Sequence, residues 1–527
     1  MSNTALRCAA LSTASTDPSS TMPNKRVPQS PFPIYEDLPS DASFDYHDEP
    51  LDHGRATANG TCLTGPGTDL EPLEDYKEGG FHPIHLGDTL GTSYCVLRKL
   101  GHGGYGTVWL CRDTRDDYAR YVAVKVTIAM VKAEDISDLT ILAGLDRSSA
   151  PGSDHIAFPL DTFPITGPNG THQCIVLPLL GPCVSPELWV RLKDEPGPVL
   201  RKMAYQAVKA INFLHTNGIC HGVHSFRLDF RPANILVKLN SLNHVSEEEL
   251  LSRFGEPKLV KVVTESGDEL PVSSPRYLTP AIDLSRLGDE YLTDQICVID
   301  FGESFRISDP PDVSCIPEMY LSPEVLLQLL RDEKSGYGDD DIDDYNVYND
   351  DNNGDNNEED TRKNNKKDED EDVDDNKDNP KGERAAIGPA CDLWALGCTL
   401  FEIRQQTALF HMIHDPDDLV AEMVRYFGKL PTQWWDTWER RAEYFDEHGT
   451  WIRENEDRSL EWLLDQSSDT VQSPTFQQDS SCIRWTSMAT PQAEQKLMAD
   501  LLYKLFQYDP DKRISAEGAV THEWFKM

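Results

Sequence analysis

Asp229 and Asn234 stand five residues apart in the stretch Asp229-Phe230-Arg231-Pro232-Ala233-Asn234, and the apolar run Ile235-Leu236-Val237 follows at once. A carboxylate and an amide at this spacing suit phosphoryl transfer. The acid can orient an incoming hydroxyl and accept its proton, while the amide oxygen helps hold magnesium against phosphates. A buried strand directly after the loop would fix both side chains on a rigid support. The spacing alone is common, so its meaning depends on what accompanies it.

Upstream lies Gly101-His102-Gly103-Gly104-Tyr105-Gly106-Thr107-Val108, then Val122-Ala123-Val124-Lys125. Glycines let backbone amides approach a triphosphate closely, where a Cβ would obstruct. A strand rather than a helix follows them, which argues against a dinucleotide fingerprint. Downstream, Ile296-Cys297-Val298-Ile299 leads into Asp300-Phe301-Gly302. Ser322-Pro323-Glu324, Asp392-Leu393-Trp394-Ala395-Leu396-Gly397 and Arg513 come after. These are the protein-kinase motifs in their usual order, and the chain resembles eukaryotic protein kinases from about Tyr94 to Phe525.

The resemblance implies an α+β, bilobal fold with a small, mostly β N-lobe carrying helix C and a larger, mostly α C-lobe. It implies ATP and Mg2+ as cofactors. Asp229 would be the catalytic base and Lys125 would contact the α- and β-phosphates. Asn234 and Asp300 would hold the metal, and Arg231 would place positive charge near the γ-phosphate. Leu100, Gly101, Gly103, Gly104, Gly106, Val108, Ala123 and Lys125 would form the ATP site with the linker. There Pro178 offers only a carbonyl and Leu180 a donor N–H, with Leu177 gating the pocket behind adenine.

These residues need elements to position them. Tyr94 onward reads as strands flanking the glycine turn, with a third from Tyr121 to Val126. Ala133 to Leu145 reads as a helix, with Ile136, Leu139, Leu142 and Leu145 at helical spacing. Its task would be to bring a carboxylate to Lys125, and Asp138 is best placed. Aspartate reaches about 1.5 Å less than glutamate. So the helix sits closer, a water bridges, or Glu134 substitutes. Val199 to Thr216 and Cys391 to Arg404 read as helices with buried faces. Arg513 could reach Glu324 as a structural ion pair.

The expected domains are a disordered tail over 1–75, an N-lobe and hinge over 81–183, and a C-lobe over 184–527. Within the latter lie an insert over 240–291 and an acidic Asp/Asn-rich disordered insert over 331–383. Residues 331–380 carry 21 acids and 7 bases, too little apolar surface to order themselves. The whole chain has 90 acids against 49 bases and a net charge of −41. Such a surface repels nucleic acid and anionic membranes and attracts basic partners. Twelve cysteines without a C-x-x-C pair read as reduced thiols of an intracellular protein. Cys174 and Cys297 read as core. No apolar run is long enough to span a membrane. The expectation is a monomer of the cytoplasm or nucleus.

More narrowly, the chain resembles the SR-protein kinases, especially filamentous-fungal relatives. The residues that carry this are Phe81-His82-Pro83-Ile84-His85-Leu86-Gly87-Asp88, Val108-Trp109-Leu110, Leu180-Gly181-Pro182 and Gly428-Lys429-Leu430-Pro431. The resemblance implies phosphorylation of serines in protein substrates, Arg/Ser-rich splicing factors among them, with an acidic docking groove.

The chain departs from that pattern at three points. Arg227 stands two residues before Asp229, where the family has histidine, as though Val223-His224-Ser225-Phe226-Arg227-Leu228 had been inserted after His221-Gly222. Arg231 replaces lysine and is not its equivalent. Asp138 replaces glutamate. Two readings follow: an active serine/threonine kinase, favoured because Lys125, Asp229, Asn234 and Asp300 all remain, or a pseudokinase acting as an acidic binding scaffold.

Overall fold

The computed structural model describes residues 57–65, 67–115, 120–147, 150–184, 188, 196–224, 227–228, 230–311, 319–332, 387–411, 413, 415–453, 459–465, 471–473, 484–486 and 490–527. Residues 1–56, most of the acidic insert (333–386) and Asp229 lie outside them.

After β1 (Thr61–Leu63), a six-stranded antiparallel sheet is built from β2 (Thr89–Leu90), β3 (Tyr94–Gly103), β4 (Gly106–Asp113), β5 (Arg120–Thr127), β6 (Asp161–Gly167) and β7 (Gly170–Pro178). Its order is β2-β3-β4-β5-β7-β6. Strand β5 shows why the sequence folds so. Val122, Val124 and Val126 alternate onto one face and pack with Trp109, Cys174 and Val176. Tyr121, Ala123 and Lys125 therefore point to the other face. Gly106 is required here, since a Cβ would come within 2.4 Å of the Val126 carbonyl oxygen on the neighbouring strand.

A small helix, α1 (Ser137–Thr140), follows β5. Beyond β8 (Leu180–Cys183) the chain becomes mostly helical. Helix α2 (Pro196–Thr216) buries Met203, Ala207, Val208, Ile211 and Leu214. It leads to β9 (Ile219–Cys220), the hairpin β10 (Val223–His224) and β11 (Arg227–Leu228), and β12 (Ile235–Leu239). Helix α3 (Glu247–Phe254), β13 (Val260–Thr264) and β14 (Tyr277–Leu278) precede β15 (Leu292–Val298), which pairs antiparallel with β12. After β16 (Phe305–Arg306) come α4 (Pro323–Asp332), α5 (Pro389–Gln405) and α6 (Pro416–Phe427). Helix α5 is buried on every side except its first two residues, as an all-round apolar helix must be. Trp394, Leu396 and Leu400 share one core with α2. Cys174 and Cys297 are buried in strands.

Arg513 meets Glu324 with both guanidinium nitrogens at 2.6 Å, each side chain nearly excluded from solvent. Breaking a buried pair strands a charge, so Arg513→Ala is expected to cost about 3–5 kcal/mol. Urea unfolding of the full chain checks this, and a loss below about 1 kcal/mol would contradict it.

Two expectations are corrected. The region 57–75 is not structureless. Strand β1 pairs with β13, and Leu70, Leu73 and Tyr76 enter a core with Val262 and Leu278. Glu71 is buried against Lys99 of β3 and accepts the Tyr76 hydroxyl. The helix expected over Ala133–Leu145 is also absent as such. A 3-10 turn at Ala133–Asp135 ends at Ile136, whose backbone is extended, and only α1 follows. So short a segment gains little from its own hydrogen bonds. Burial of Ile141 and Leu142 in the helix-rich core and the bonds of Asp138 described below decide its course.

Candidate active site

Lys125 lies opposite Val108 on β4 and Ile175 on β7. Opposite residues share a face, so Lys125 projects from the same side as Val108 and Ala123. Its Nζ is 3.0 Å from Asp138 Oδ2 and 3.2 Å from Asp300 Oδ1. Burial opposes the lysine charge, but Asp138 and Asp300 outweigh it and raise its pKa well above the usual value. The Lys125 charge in turn lowers that of Asp300. Asp138 is buried. Its other oxygen accepts the Phe301 N–H at 3.1 Å. One short carboxylate thus joins Lys125 to the segment carrying Asp300. No water bridge is needed, and Glu134 is exposed.

Asp300 has a left-handed backbone, φ 61°, a costly geometry for a non-glycine residue and one found at functional sites. Its side chain is 44 % exposed. Asn234 sits in a 3-10 turn after Arg231, and its carbonyl accepts the Ile299 N–H at 2.9 Å. The two expected metal holders are therefore tied through adjacent backbone. Gly101, Gly103 and Gly104 have open space where a Cβ would lie. Two carboxamide and carboxylate oxygens, a preset lysine and an open glycine turn fit a nucleotide with a divalent ion. Pro178 ends β7 opposite Val122, and Leu180 opens β8 opposite Lys238. Leu100 and Val108 are half-buried and Ala123 is buried, an apolar lining for a flat ring.

Arg231 is half-buried. Its charge acts on Asp300, Tyr320 and Glu402, and Tyr320 donates to Glu402. Asp229 lies outside the described residues, but both flanks are fixed. Phe230 is fully buried, and its carbonyl accepts Thr399 Oγ1 at 2.9 Å. On the other side, Asp392 accepts the N–H groups of His221 (2.8 Å) and Gly222 (3.3 Å) and meets His215 Nε2 at 2.9 Å.

Arg227 stands where the family has histidine, and His221 nonetheless lies against the segments that carry both motifs. Its ring packs 5.0 Å from Phe301 and 5.4 Å from Phe230. Its Nε2 donates to the Ile299 carbonyl at 3.3 Å. Of the six extra residues, Val223 pairs opposite Leu228 and His224 opposite Arg227. Sequence reasoning missed the supporting role of Asp392, because its partners are the backbone N–H groups of His221 and Gly222 and the His215 ring, which no spacing reports.

His155 braces the same strand, with Nδ1 3.2 Å from the Ile296 carbonyl. Burial pushes His155 down to about 4 and lowers His221 as well. Unfolded histidines take up protons near 6.5, so the unfolded state gains protons first as the solution is acidified. Stability is therefore full above pH 6.5 and falls as pH drops toward 4, on the order of 1 kcal/mol for His155 by pH 5. Urea midpoints at pH 7 and pH 5 check this, and His155→Gln is expected to shrink the difference.

Residues 382–525 match the protein kinase domain. A serine/threonine protein kinase of Aspergillus fumigatus is 24% identical over 462 residues, covering 86% of this chain and 90% of that one. A serine/threonine-protein kinase of Physarum polycephalum, named SRPK, is 21% identical over 469 residues, 86% of this chain and 91% of that one. Human SRSF protein kinase 3 is 34% identical over 175 residues, 32% of this chain and 29% of that one. These findings support the reading as an active enzyme and give none to the scaffold.

Proposed function

We infer that this serine/threonine protein kinase, which resembles the SR-protein kinases, transfers the ATP γ-phosphate to serines set among arginines in basic protein substrates. The observation that carries the preference is the chain's acidity, a net charge of −41, with Asp417 and Glu439 lining a cavity beside α4 that also holds Arg331. A cavity of about 290 Å³ is lined by Leu327, Leu330, Arg331, Asp417, Trp438 and Glu439. Next to it the chain's own Arg440 lies 2.9 Å from Asp415 and 3.2 Å from Asp417, so these acids already accept a guanidinium. A net charge of −41 draws basic partners toward it.

In this reading Asp229 orients the serine hydroxyl and takes its proton. Lys125 is held ready for the α- and β-phosphates by Asp138, and Arg231 keeps positive charge near the γ-phosphate. Asn234 and Asp300 would hold Mg2+, which supplies neutralisation of phosphate charge when bound. Leu100, Val108 and Ala123 cover one face of the adenine, whose edge meets the Pro178 carbonyl and Leu180 N–H. The two halves act as the N- and C-lobes of an intracellular monomer, in cytoplasm or nucleus.

The test compares kcat/KM for an Arg-Ser repeat peptide with that for a neutral serine peptide. At least a tenfold preference for the basic peptide is expected, reduced in Asp417→Lys by electrostatic repulsion. Equal values for both peptides would overturn the preference while leaving the kinase reading intact.

A further inference from the structure

Three side chains of different donor type meet behind the segment that leads to Asp229. His215 stands in the last turn of α2, Cys220 closes β9, and Asp392 lies in the first turn of α5. His215 Nε2, Cys220 Sγ and an Asp392 carboxylate oxygen all lie within 4.8 Å of one another. His215 Nε2 and Asp392 Oδ2 are 2.9 Å apart. Strand pairing fixes the Cys220 backbone, which stands opposite Phe305 of β16. Cys391, next to Asp392, faces Ser322 and Glu324 instead.

An imidazole nitrogen, a thiol sulfur and a carboxylate oxygen form a donor set that suits Zn2+ and not Mg2+, which takes oxygen ligands. Around a tetrahedral zinc, donors about 2.0–2.3 Å from the ion stand roughly 3.3–3.5 Å from one another. His215 and Asp392 need only part slightly, and Cys220 draw in by roughly 1 Å, with a water in the fourth position. Cys220 and Asp392 are buried. His215 keeps 12 % of its side chain in solvent, next to exposed Thr216 and Asn217, and this side gives an ion its way in.

We propose that His215, Cys220 and Asp392 form an inhibitory zinc site behind the catalytic loop. Zn2+ takes the place of the proton between His215 Nε2 and Asp392. The neutral imidazole keeps its one proton on Nδ1, and the Cys220 thiol releases its proton to solvent as the S–Zn bond forms. Nothing is oxidised or reduced. The inhibition follows from what Asp392 already does. Its oxygens accept the N–H groups of His221 and Gly222, and drawing Cys220 toward the ion pulls on the same backbone. Gly222 is pressed against the Glu303 carbonyl, so the strain passes on into the loop that carries Asp229. The inhibition rests on the kinase reading; the binding of zinc does not.

The test titrates zinc-free, full-length wild type, Cys220→Ala, Cys220→Ser and His215→Gln with Co2+, whose thiolate charge-transfer absorption reports a sulfur ligand, and then with Zn2+. Phosphate transfer is measured at saturating Mg2+ and ATP, and circular dichroism checks folding. Wild type is expected to bind one Co2+ with the thiolate band, which Zn2+ abolishes. Zinc should lower its kcat at least about tenfold, since about 1 Å of misplacement costs up to about 100-fold, with KM for ATP unchanged. The Cys220 variants are expected to lack the band and to bind Zn2+ about 100-fold more weakly. At the zinc concentration that inhibits wild type they keep their zinc-free kcat. A wild type without the band would overturn the site, as would a band that survives in a folded Cys220 variant. If neither Cys220 variant folds, His215→Gln decides: weaker Co2+ binding supports the site, and unchanged binding overturns it. Zinc inhibition that more Mg2+ and ATP relieve, or that strikes wild type and Cys220 variants alike, would overturn the inhibitory role. A zinc-free wild type that transfers nothing would overturn the kinase reading, while the Co2+ titration still decides the metal site.

Discussion

Lys125→Met is expected to lower kcat/KM for phosphoryl transfer by about 10²–10³-fold, the scale seen when one charge-stabilising donor is removed from a buried site. The reason lies in how little the lysine must do when substrate arrives. It is 19 % exposed and already fixed by Asp138 and Asp300 at 3.0 and 3.2 Å. Its positive charge is secured by those two carboxylates. Methionine keeps the stem and loses the charge. It also leaves buried Asp138 beside Asp300 with no cation between them, so thermal stability should fall too. Asp138→Asn is expected to keep the fold better, since its carbonyl oxygen can still accept the Phe301 N–H. Single-turnover transfer and melting curves for both variants check this. Undiminished transfer by Lys125→Met would contradict the site.

Gly222→Val is expected to cost about 100-fold in kcat, whereas deleting Val223–Leu228 should leave activity within about tenfold of wild type. Gly222 has φ 131°, a conformation a β-branched residue cannot adopt without strain. A Cβ there would lie 2.0 Å from the Glu303 carbonyl oxygen. Valine must therefore push the catalytic loop away from the segment after Asp300, and about 1 Å of misplacement costs about that factor. The six residues beyond it leave and return as paired strands, Val223 opposite Leu228. Their removal takes out a pair, Val223 and Leu228, whose own ends already face each other. His221, Phe230 and Asp392 hold the loop from outside the hairpin. Parallel kcat measurements on the two variants decide the matter, and a deletion as damaging as Gly222→Val would contradict this reading of the hairpin.

The motif order was legible because glycine turns, a lysine in an apolar strand and acid-amide loops are local in sequence. So were α2 and α5, whose apolar periodicity reports burial directly. Three features were not legible, each for a physical reason. The helix expected over Ala133–Leu145 had the right spacing, but Ile136 is extended and Asp138 makes tertiary bonds that a spacing count cannot see. The region 57–75 looked structureless because Leu70, Leu73 and Tyr76 find their partners, Val262 and Leu278, about two hundred residues away. The insert's own pattern was faint for the same cause, since Val245 and Leu250 are buried in one cluster with Leu97 and Leu110, far away in the sequence. The place of His221 was not legible either, since its contacts with Phe230 and Phe301 are set by distance in the fold and not by spacing.

The most direct measurement is single-turnover transfer of labelled γ-phosphate from ATP to an Arg-Ser repeat peptide, by wild type and by Asp229→Asn. Wild type is expected to transfer phosphate. Asp229→Asn, still binding nucleotide and peptide, is expected to fall by about 10²–10⁴-fold, the span for loss of a positioned general base. A wild-type chain that binds both substrates yet transfers nothing, or an Asp229→Asn variant as fast as wild type, would contradict the assignment of Asp229 and its neighbours as the catalytic centre.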